Sequence, residues 1–285
     1  MTRPRWPRPG RPYLAGSPLF IAHRGGAKLA PENTMEAFRL AVDTWGADVL
    51  ETDARLTSDG EVILLHDETV GRTCDDEGTV AGMPWSRVRA LDAGYHFRDL
   101  AGETSFRGCG VSIPRFEEVL EAFPNTRLNV DTKCRRVAQP LAEIIRRHRA
   151  HDRVLIAAEV ETHRRVVRGY AGPWGASRRD IALFWSAGHL RLTTWFRPRF
   201  DVLQVPEVWH GIRVVTPRFV SEAHRLNLPV HVWIVDREQD MSRLLAWGVN
   251  GIQTDRPDVL SRVLAREVGR VPHPGSPAGS PDSES

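Results

Sequence analysis

Short apolar runs alternate with amphipathic stretches along almost the whole chain, and this rhythm constrains the fold more than any other feature. Runs of strand character fall at 19–23, 48–53, 126–132, 153–157, 180–185, 201–205, 230–235 and 250–254. Stretches with helical spacing follow most of them, at 33–45, 135–149, 160–169, 216–226, 237–247 and 256–265. Eight strands with mostly helical connections predict an α/β fold, a (β/α)8 TIM barrel. A chain of 285 residues holds such a barrel as one domain, read here as residues 18–268. Asn33-Thr34 and Ser221-Glu222 are read as capping neighbourhoods or early helical turns. The rhythm breaks once. After VILLHD (61–66), residues 67–112 are polar and glycine-containing with no clean period, which predicts a small insertion after the second strand region. Residues 1–17, rich in Arg, Pro and Gly, and 269–285, rich in Pro, Gly and Ser, offer little to bury and are expected to be disordered.

Charge narrows the classes of partner. The chain has 39 basic and 36 acidic residues, a net charge of +3. The excess is local, because residues 1–31 contain six basic residues and no acid. No basic run interleaves with aromatics, so nucleic-acid binding is excluded. Cys74, Cys109 and Cys134 are far apart and lack a CxxC spacing, which argues against a disulfide framework or a thiolate zinc site. No apolar run approaches the ~20 residues that span a bilayer, and prolines interrupt the N-terminus where a signal peptide needs an apolar stretch. The expected product is a soluble, cytoplasmic protein, and a homodimer would be one arrangement open to it.

In such barrels the active site lies at the C-terminal ends of the strands. Here those ends carry His23-Arg24-Gly25-Gly26, Glu51-Thr52-Asp53 and Asp131-Thr132-Lys133, with His66-Asp67 closing the run before the insertion. Side chains alternate faces along a strand, so Glu51 and Asp53 share one face, as do Asp131 and Lys133. One such acid pair alone is ordinarily a solvated strand end. Two pairs at equivalent ends, joined by two histidines, point to a site. Converging carboxylates suit Mg²⁺ or Ca²⁺ better than zinc. His23 and His66 are the natural proton-transfer pair, while Arg24 and Lys133 are donors to an anion. Two histidines, two cations and a divalent metal describe phosphoryl chemistry.

These residues resemble the signature of the glycerophosphodiester phosphodiesterase family. The resemblance is carried by His23-Arg24-Gly25, Pro31-Glu32-Asn33-Thr34, Gly46-Ala47-Asp48, Glu51-Thr52-Asp53 and His66-Asp67-Glu68. Further matches are IPRFEEVL (113–120), NVDTK (129–133), VHVWIVD (230–236) and GVNGIQTDRPDVL (248–260), so it spans about residues 19–262. It implies a metal-dependent barrel with an insertion after the second strand region. It further implies Glu51, Asp53 and Asp131 as ligands of one divalent cation, Mg²⁺ or Ca²⁺, and His23 and His66 as general acid and base in either order. Arg24 and Lys133 would hold the phosphate and Trp233 would line the substrate site. Glu32 and Asn33 would support the metal or the His23 loop. The implied partner is a small phosphodiester, cleaved to an alcohol and glycerol 3-phosphate. Family members usually carry Glu where Asp131 stands, one methylene longer. The regions IAAEVETHRRVV and IALFWSAGHLRLTTWF match more weakly.

Two other readings stay open at this point. A lysophospholipase D would use the aromatics of 174–209 (Trp174, Phe184, Trp185, Trp195, Phe196 and Trp209) as an acyl-chain groove, although filling of core and interface is the simpler role for them. A non-catalytic phosphodiester-binding barrel would be expected to have lost a histidine or a carboxylate, and this chain keeps them.

Overall fold

A computed structural model describes residues 12–277. In chain order the strands are β1 (Leu19–Ala22), β2 (Val49–Leu56), β3 (Val62–Leu64), β4 (Arg127–Thr132), β5 (Val154–Ala157), β6 (Leu203–Pro206), β7 (Val208–Trp209), β8 (Ile212–Arg213), β9 (Val230–Trp233) and β10 (Gly251–Thr254). The helices are α1 (Met35–Arg39), α2 (Trp85–Val88), α3 (Phe116–Ala122), α4 (Ala138–Arg147), α5 (Glu161–Val166), α6 (Arg178–His189), α7 (Pro217–Arg225), α8 (Glu238–Ala246) and α9 (Pro257–Val268). A π-turn over Leu40–Thr44 extends α1, whose N-cap Thr34 accepts a hydrogen bond from the Ala37 amide at 3.3 Å.

The parallel strands form one curved sheet in the order β5-β4-β2-β1-β10-β9-β6, with β3 antiparallel on β2. Its two edges are joined through Trp174-Gly175, which bridges to Ile156 on one side and to Val202 on the other. That dipeptide is a minimal fifth stave, and it closes the barrel.

This corrects one expectation. Residues 180–185, read as the fifth strand, lie in α6. IALFW is a short continuous apolar run, which periodicity alone assigns equally to a strand or a buried helix. The decision comes from its N-terminus, where Ser177 and Asp180 form a reciprocal capping box. Helix α3 had no counterpart among the helical stretches read from the sequence. Ser221-Glu222 falls inside α7, whose cap is Thr216.

Alternation along the staves divides the interior from the outer core. Phe20, Ala22, Leu50, Leu128, Val130, Val232 and Ile252 face the helices in the main apolar cluster. Leu19, Ile21, Val49, Leu155 and Val202 point inward and form the floor of the barrel. Tyr13 and Leu14, fully buried in a 3-10 turn over Pro12–Leu14, plug that floor. Arg127 fixes the turn by donating to the Tyr13 and Ala15 carbonyls at 3.1 and 2.6 Å. Residues 12–14 thus belong to the packed barrel rather than to the disordered arm expected over 1–17, because an aromatic and a leucine there have a floor to bury against. Residues 1–11 of that arm lie outside the described residues, as do 278–285 of the expected tail. Before that point, Arg270 pairs with Asp48 and the Ser276 hydroxyl donates to the Thr44 carbonyl.

The segment 67–112 has few regular elements, yet it holds a small core of its own. Val70, Cys74, Val80, Met83, Val88 and Leu91 pack on Ile63 and Leu65 of the β3 region. The three cysteines are free thiols.

Candidate active site

The candidate site residues gather at the C-terminal mouth of the barrel. β1 ends in a tight turn over His23–Gly25, with Arg24 at φ 50° and Gly25 at φ 85°. A Cβ on Gly25 would lie 2.7 Å from the Ala37 Cβ, so only glycine lets the turn lie against α1. The turn directs the Arg24 amide to donate to Glu51 Oε2 at 3.1 Å. Its guanidinium donates to Glu32 Oε1 at 2.9 Å and lies 3.1 Å from Asp53 Oδ2.

On β2, Glu51 and Asp53 face inward, and the register sets Asp53 opposite Asp131 of β4. Glu51 and Asp53 are almost fully buried. Burial raises the Glu51 carboxyl, and neighbouring Asp53 adds to the rise against the pull of His23, Arg24 and Lys133. Burial would raise Asp53 as well, but Lys133, Arg24 and His66, with a hydrogen bond from Asn33, together hold it well below the usual carboxylate range. The Asn33 amide donates to Asp53 Oδ2 at 2.9 Å, and its oxygen accepts from Thr52 Oγ1 at 2.6 Å. Asn33 adopts φ 58°, a conformation that its short polar side chain tolerates.

Lys133 extends from the end of β4 and places Nζ 2.9 Å from Asp53 Oδ1 and 2.7 Å from Asp131 Oδ2. Burial works against its charge, but the two carboxylates outweigh burial and raise its pKa. Asp131 is raised chiefly by burial, and its Oδ1 is buried without a hydrogen-bond partner.

The histidines are held alike. His23 Nδ1 is 2.6 Å from Asp255 Oδ1, and its Nε2 lies 3.8 Å from Glu51 Oε2. His66 Nδ1 is 2.6 Å from Asp67 Oδ1. In each ring a carboxylate engages Nδ1 and leaves Nε2 for other partners. Burial lowers the His23 pKa, but Glu51 and Asp255 reverse this and leave it raised. Arg72, from the insertion, pairs with Asp67 and also with Glu32, at 2.7 and 2.8 Å. One guanidinium therefore ties the His66 loop to the Arg24 loop.

His23, Arg24, Glu51, Asp53, His66, Asp131, Lys133 and Trp233 all line one cavity of about 820 Å³. Sequence reasoning missed the roles of Asp255 and Arg72, because their partners are 232 and 40 residues away. The sole signal was that Asp255 ends the last strand. The aromatics of 174–209 divide between two roles, apart from Trp195, which is exposed. Phe184 and Phe196 pack on the core with Trp174, as the simpler reading has it, whereas Trp185 and Trp209 form a wall of the cavity.

Among the described residues, a tighter carboxylate and histidine group, Glu117, Glu121 and His148, occurs on α3 and at the end of α4. None of these residues lines the cavity. At the mouth, Lys133 Nζ stands between Asp53 and Asp131.

A (β/α)8 barrel with histidines, carboxylates and cations converging on its C-terminal mouth defines a barrel hydrolase of phosphoric diesters. Comparison with known proteins gives the same class. The glycerophosphoryl diester phosphodiesterase family matches residues 23–259. The Mycobacterium tuberculosis protein named "Probable glycerophosphodiester phosphodiesterase 2" is 33% identical over 264 residues, covering 87% of this chain and 91% of that protein. The glycerophosphodiester phosphodiesterase of Caldanaerobacter subterraneus is 32% identical over 260 residues, covering 87% and 98%. A phosphodiesterase from Oleispira antarctica, solved with sn-glycerol-3-phosphate, superposes with a TM-score of 0.70 at 22% identity, covering 87% of this chain and 97% of that one. The chain belongs to the glycerophosphoryl diester phosphodiesterase family. No helix among the described residues is long and apolar enough to cross a membrane.

Proposed function

We propose that the chain hydrolyses glycerophosphodiesters to an alcohol and glycerol 3-phosphate, with His23 and His66 transferring the protons. The observation that carries this reading is the convergence of both carboxylate-held histidines with Arg24 and Lys133 on one cavity. The Oleispira antarctica phosphodiesterase, solved in complex with sn-glycerol-3-phosphate as its product, supports the same substrate class.

The residues also fit one divalent cation, Mg²⁺ or Ca²⁺. Glu51, Asp53 and Asp131 bring hard oxygen donors to a buried wall, and Asp131 Oδ1 has no hydrogen-bond partner. When bound, the cation would supply Lewis-acid stabilisation of a phosphoryl oxygen. The chain's own groups do the rest. Arg24 and Lys133 balance the charge of the diester, and Trp233 packs beside it. One histidine takes the proton from the nucleophile, which is water, or else the neighbouring glycerol hydroxyl, in which case a cyclic phosphate forms first and water then opens it to glycerol 3-phosphate. The other gives a proton to the departing alcohol. Asp255 and Asp67 hold the two rings in the tautomer that presents Nε2.

A lysophospholipid is the second reading, favoured by the apolar wall of Ile181, Trp185, Trp209 and Trp233. The test is an activity panel of glycerophosphocholine against a lysophospholipid, with Mg²⁺ and with Ca²⁺ after chelation. His23→Ala and His66→Ala should each lower kcat by about 10²–10⁴. Turnover within a few-fold of the parent in either variant refutes the assignment of the histidines.

A further inference from the structure

One side of the mouth carries a surface that catalysis does not require. Residues 183–212 contain Leu183, Leu190, Leu192, Trp195, Trp209 and Ile212 among their exposed large apolar side chains, with exposures from 41% to 78%. Among the described residues this is the densest run of exposed large apolar side chains; the others are scattered from Leu100 to Val271. Between 171 and 218, every exposed Asp, Glu, Lys or Arg side chain is an arginine, from Arg178 to Arg218. Arg178, Arg179 and Arg213 have carboxylate partners in Glu159, Glu161 and Glu207. Arg197 and Arg218 donate only to backbone carbonyls, and Arg191 and Arg199 pair with no carboxylate among the described residues.

The surface is continuous with the mouth. Trp209 and Ile212, on the β7–β8 hairpin, line the cavity and are 41% and 54% exposed. The Arg178 guanidinium stacks over Trp209 at 5.3 Å and joins the hairpin to the start of α6. Along α6, Ile181 and Trp185 line the cavity and Phe184 enters the core, which leaves Arg179, Leu183 and Leu190 on one outward stripe at four- and seven-residue spacing. The chain then runs LRLTTWFRPR, residues 190–199. Phe196 and Phe200 anchor that segment, since Phe196 packs edge-on to Phe184 at 5.5 Å and lies 6.2 Å from Phe200. Trp195, between those anchors and the leucines, is 78% exposed.

We propose that this face docks on an anionic lipid bilayer. Leucines and tryptophans that protrude beside arginines, with no exposed acid between residues 171 and 218 and Glu159 already paired with Arg178, have the chemistry of a peripheral interfacial site. The apolar tips enter the boundary of headgroups and acyl chains, and the guanidinium groups meet lipid phosphates while their stems cover apolar surface. A second copy of this chain would set arginine against arginine on an isologous contact, so charge complementarity favours the lipid surface. Docked this way, the mouth opens at the bilayer.

The test is co-sedimentation of the full chain with vesicles of phosphatidylcholine alone and of phosphatidylcholine mixed with phosphatidylglycerol, at low and high salt. Binding is expected to the anionic vesicles only and to weaken with salt. Each basic residue at an anionic surface is worth about fivefold in partition, so Arg197→Glu with Arg199→Glu should weaken binding by at least ~25-fold. A triple variant, Leu190→Ser, Leu192→Ser and Trp195→Ser, should also release the protein while keeping hydrolysis of a water-soluble diester, which shows that it is folded. The Arg-rich N-terminal residues are present in every variant, so binding unchanged in both variants assigns it elsewhere and overturns the proposal. Absence of binding, or equal binding to neutral and anionic vesicles, overturns it too. So does a dimer in light scattering that the triple variant splits while the parent binds no vesicle.

Discussion

Replacing Lys133 with Met should cost substantial stability at the mouth. Nζ lies 2.9 Å from Asp53 Oδ1 and 2.7 Å from Asp131 Oδ2, and its side chain is 18% exposed. At an effective dielectric near 20, each contact amounts to about 6 kcal/mol of attraction, most of it offset by the desolvation of three charges. Removing one partner strands the others, which typically costs about 3–5 kcal/mol. The two carboxylates do not suffer equally. Asp53 keeps Arg24 at 3.1 Å and Asn33 at 2.9 Å, whereas Asp131 loses the one cation within ion-pair distance of it among the described residues. Its other oxygen has no partner. The loss should therefore sit mainly on Asp131. Urea unfolding in chelator at pH 8 should show about 3–5 kcal/mol lost in Lys133→Met, with much of it recovered on adding Asp131→Asn. The sign of the pH effect follows. Asp131 has a raised pKa in the folded chain, so its contribution is present below the unfolded carboxylate pKa and is lost as pH rises through the folded value. The single variant should accordingly be less impaired at pH 5 than at pH 8. A loss under about 1 kcal/mol at pH 8, or an Asp131→Asn change that adds to the damage, would refute the reasoning.

Three further outcomes are expected. Asp255→Asn should lower kcat by about 10²–10⁴ with little change in thermal unfolding, because the His23 ring then loses the carboxylate that sets its tautomer. Burial drives the His231 pKa down to about 3, so its contribution is complete above the unfolded value of 6.5 and falls away as pH drops toward 3. Relative to a His231→Met variant, the parent should lose about 3 kcal/mol between neutral pH and pH 4 in urea titrations. Tyr13→Ala should cost about 3–5 kcal/mol, while Tyr13→Phe should be close to neutral, since the buried hydroxyl has no hydrogen-bond partner among the described residues. A Tyr13→Ala protein as stable as the parent would show that the turn over residues 12–14 does not plug the floor.

Much of the fold was legible because alternation is a local property. In β2, Leu50 faces the helices while Glu51 and Asp53 face inward, and the strand needs no distant information to divide them this way. The HRG turn is likewise local, since it depends on what a glycine can adopt. The fifth stave was not legible. Trp174-Gly175 makes one bridge on each side, a contact that exists only once β5 and β6 are in place, and the apolar run at 180–185 is helical because of a cap just before it. Tyr13 looked like part of a proline-rich arm because its burial needs a barrel floor that other residues build.

In the sequence by itself, strand-end position and alternation single out His23, Arg24, Glu51, Asp53, His66, Asp131 and Lys133, the family resemblance adds Trp233, and all eight line one cavity. Only the tertiary structure decided how they are charged and held. Asp255 reaches His23 across 232 residues, and Arg72 ties Glu32 to Asp67 from inside the insertion. Lys133 is shared between carboxylates of two different strands. Desolvation and Coulomb attraction depend on distances of a few ångströms, and barrel closure alone sets those distances between segments far apart in the chain.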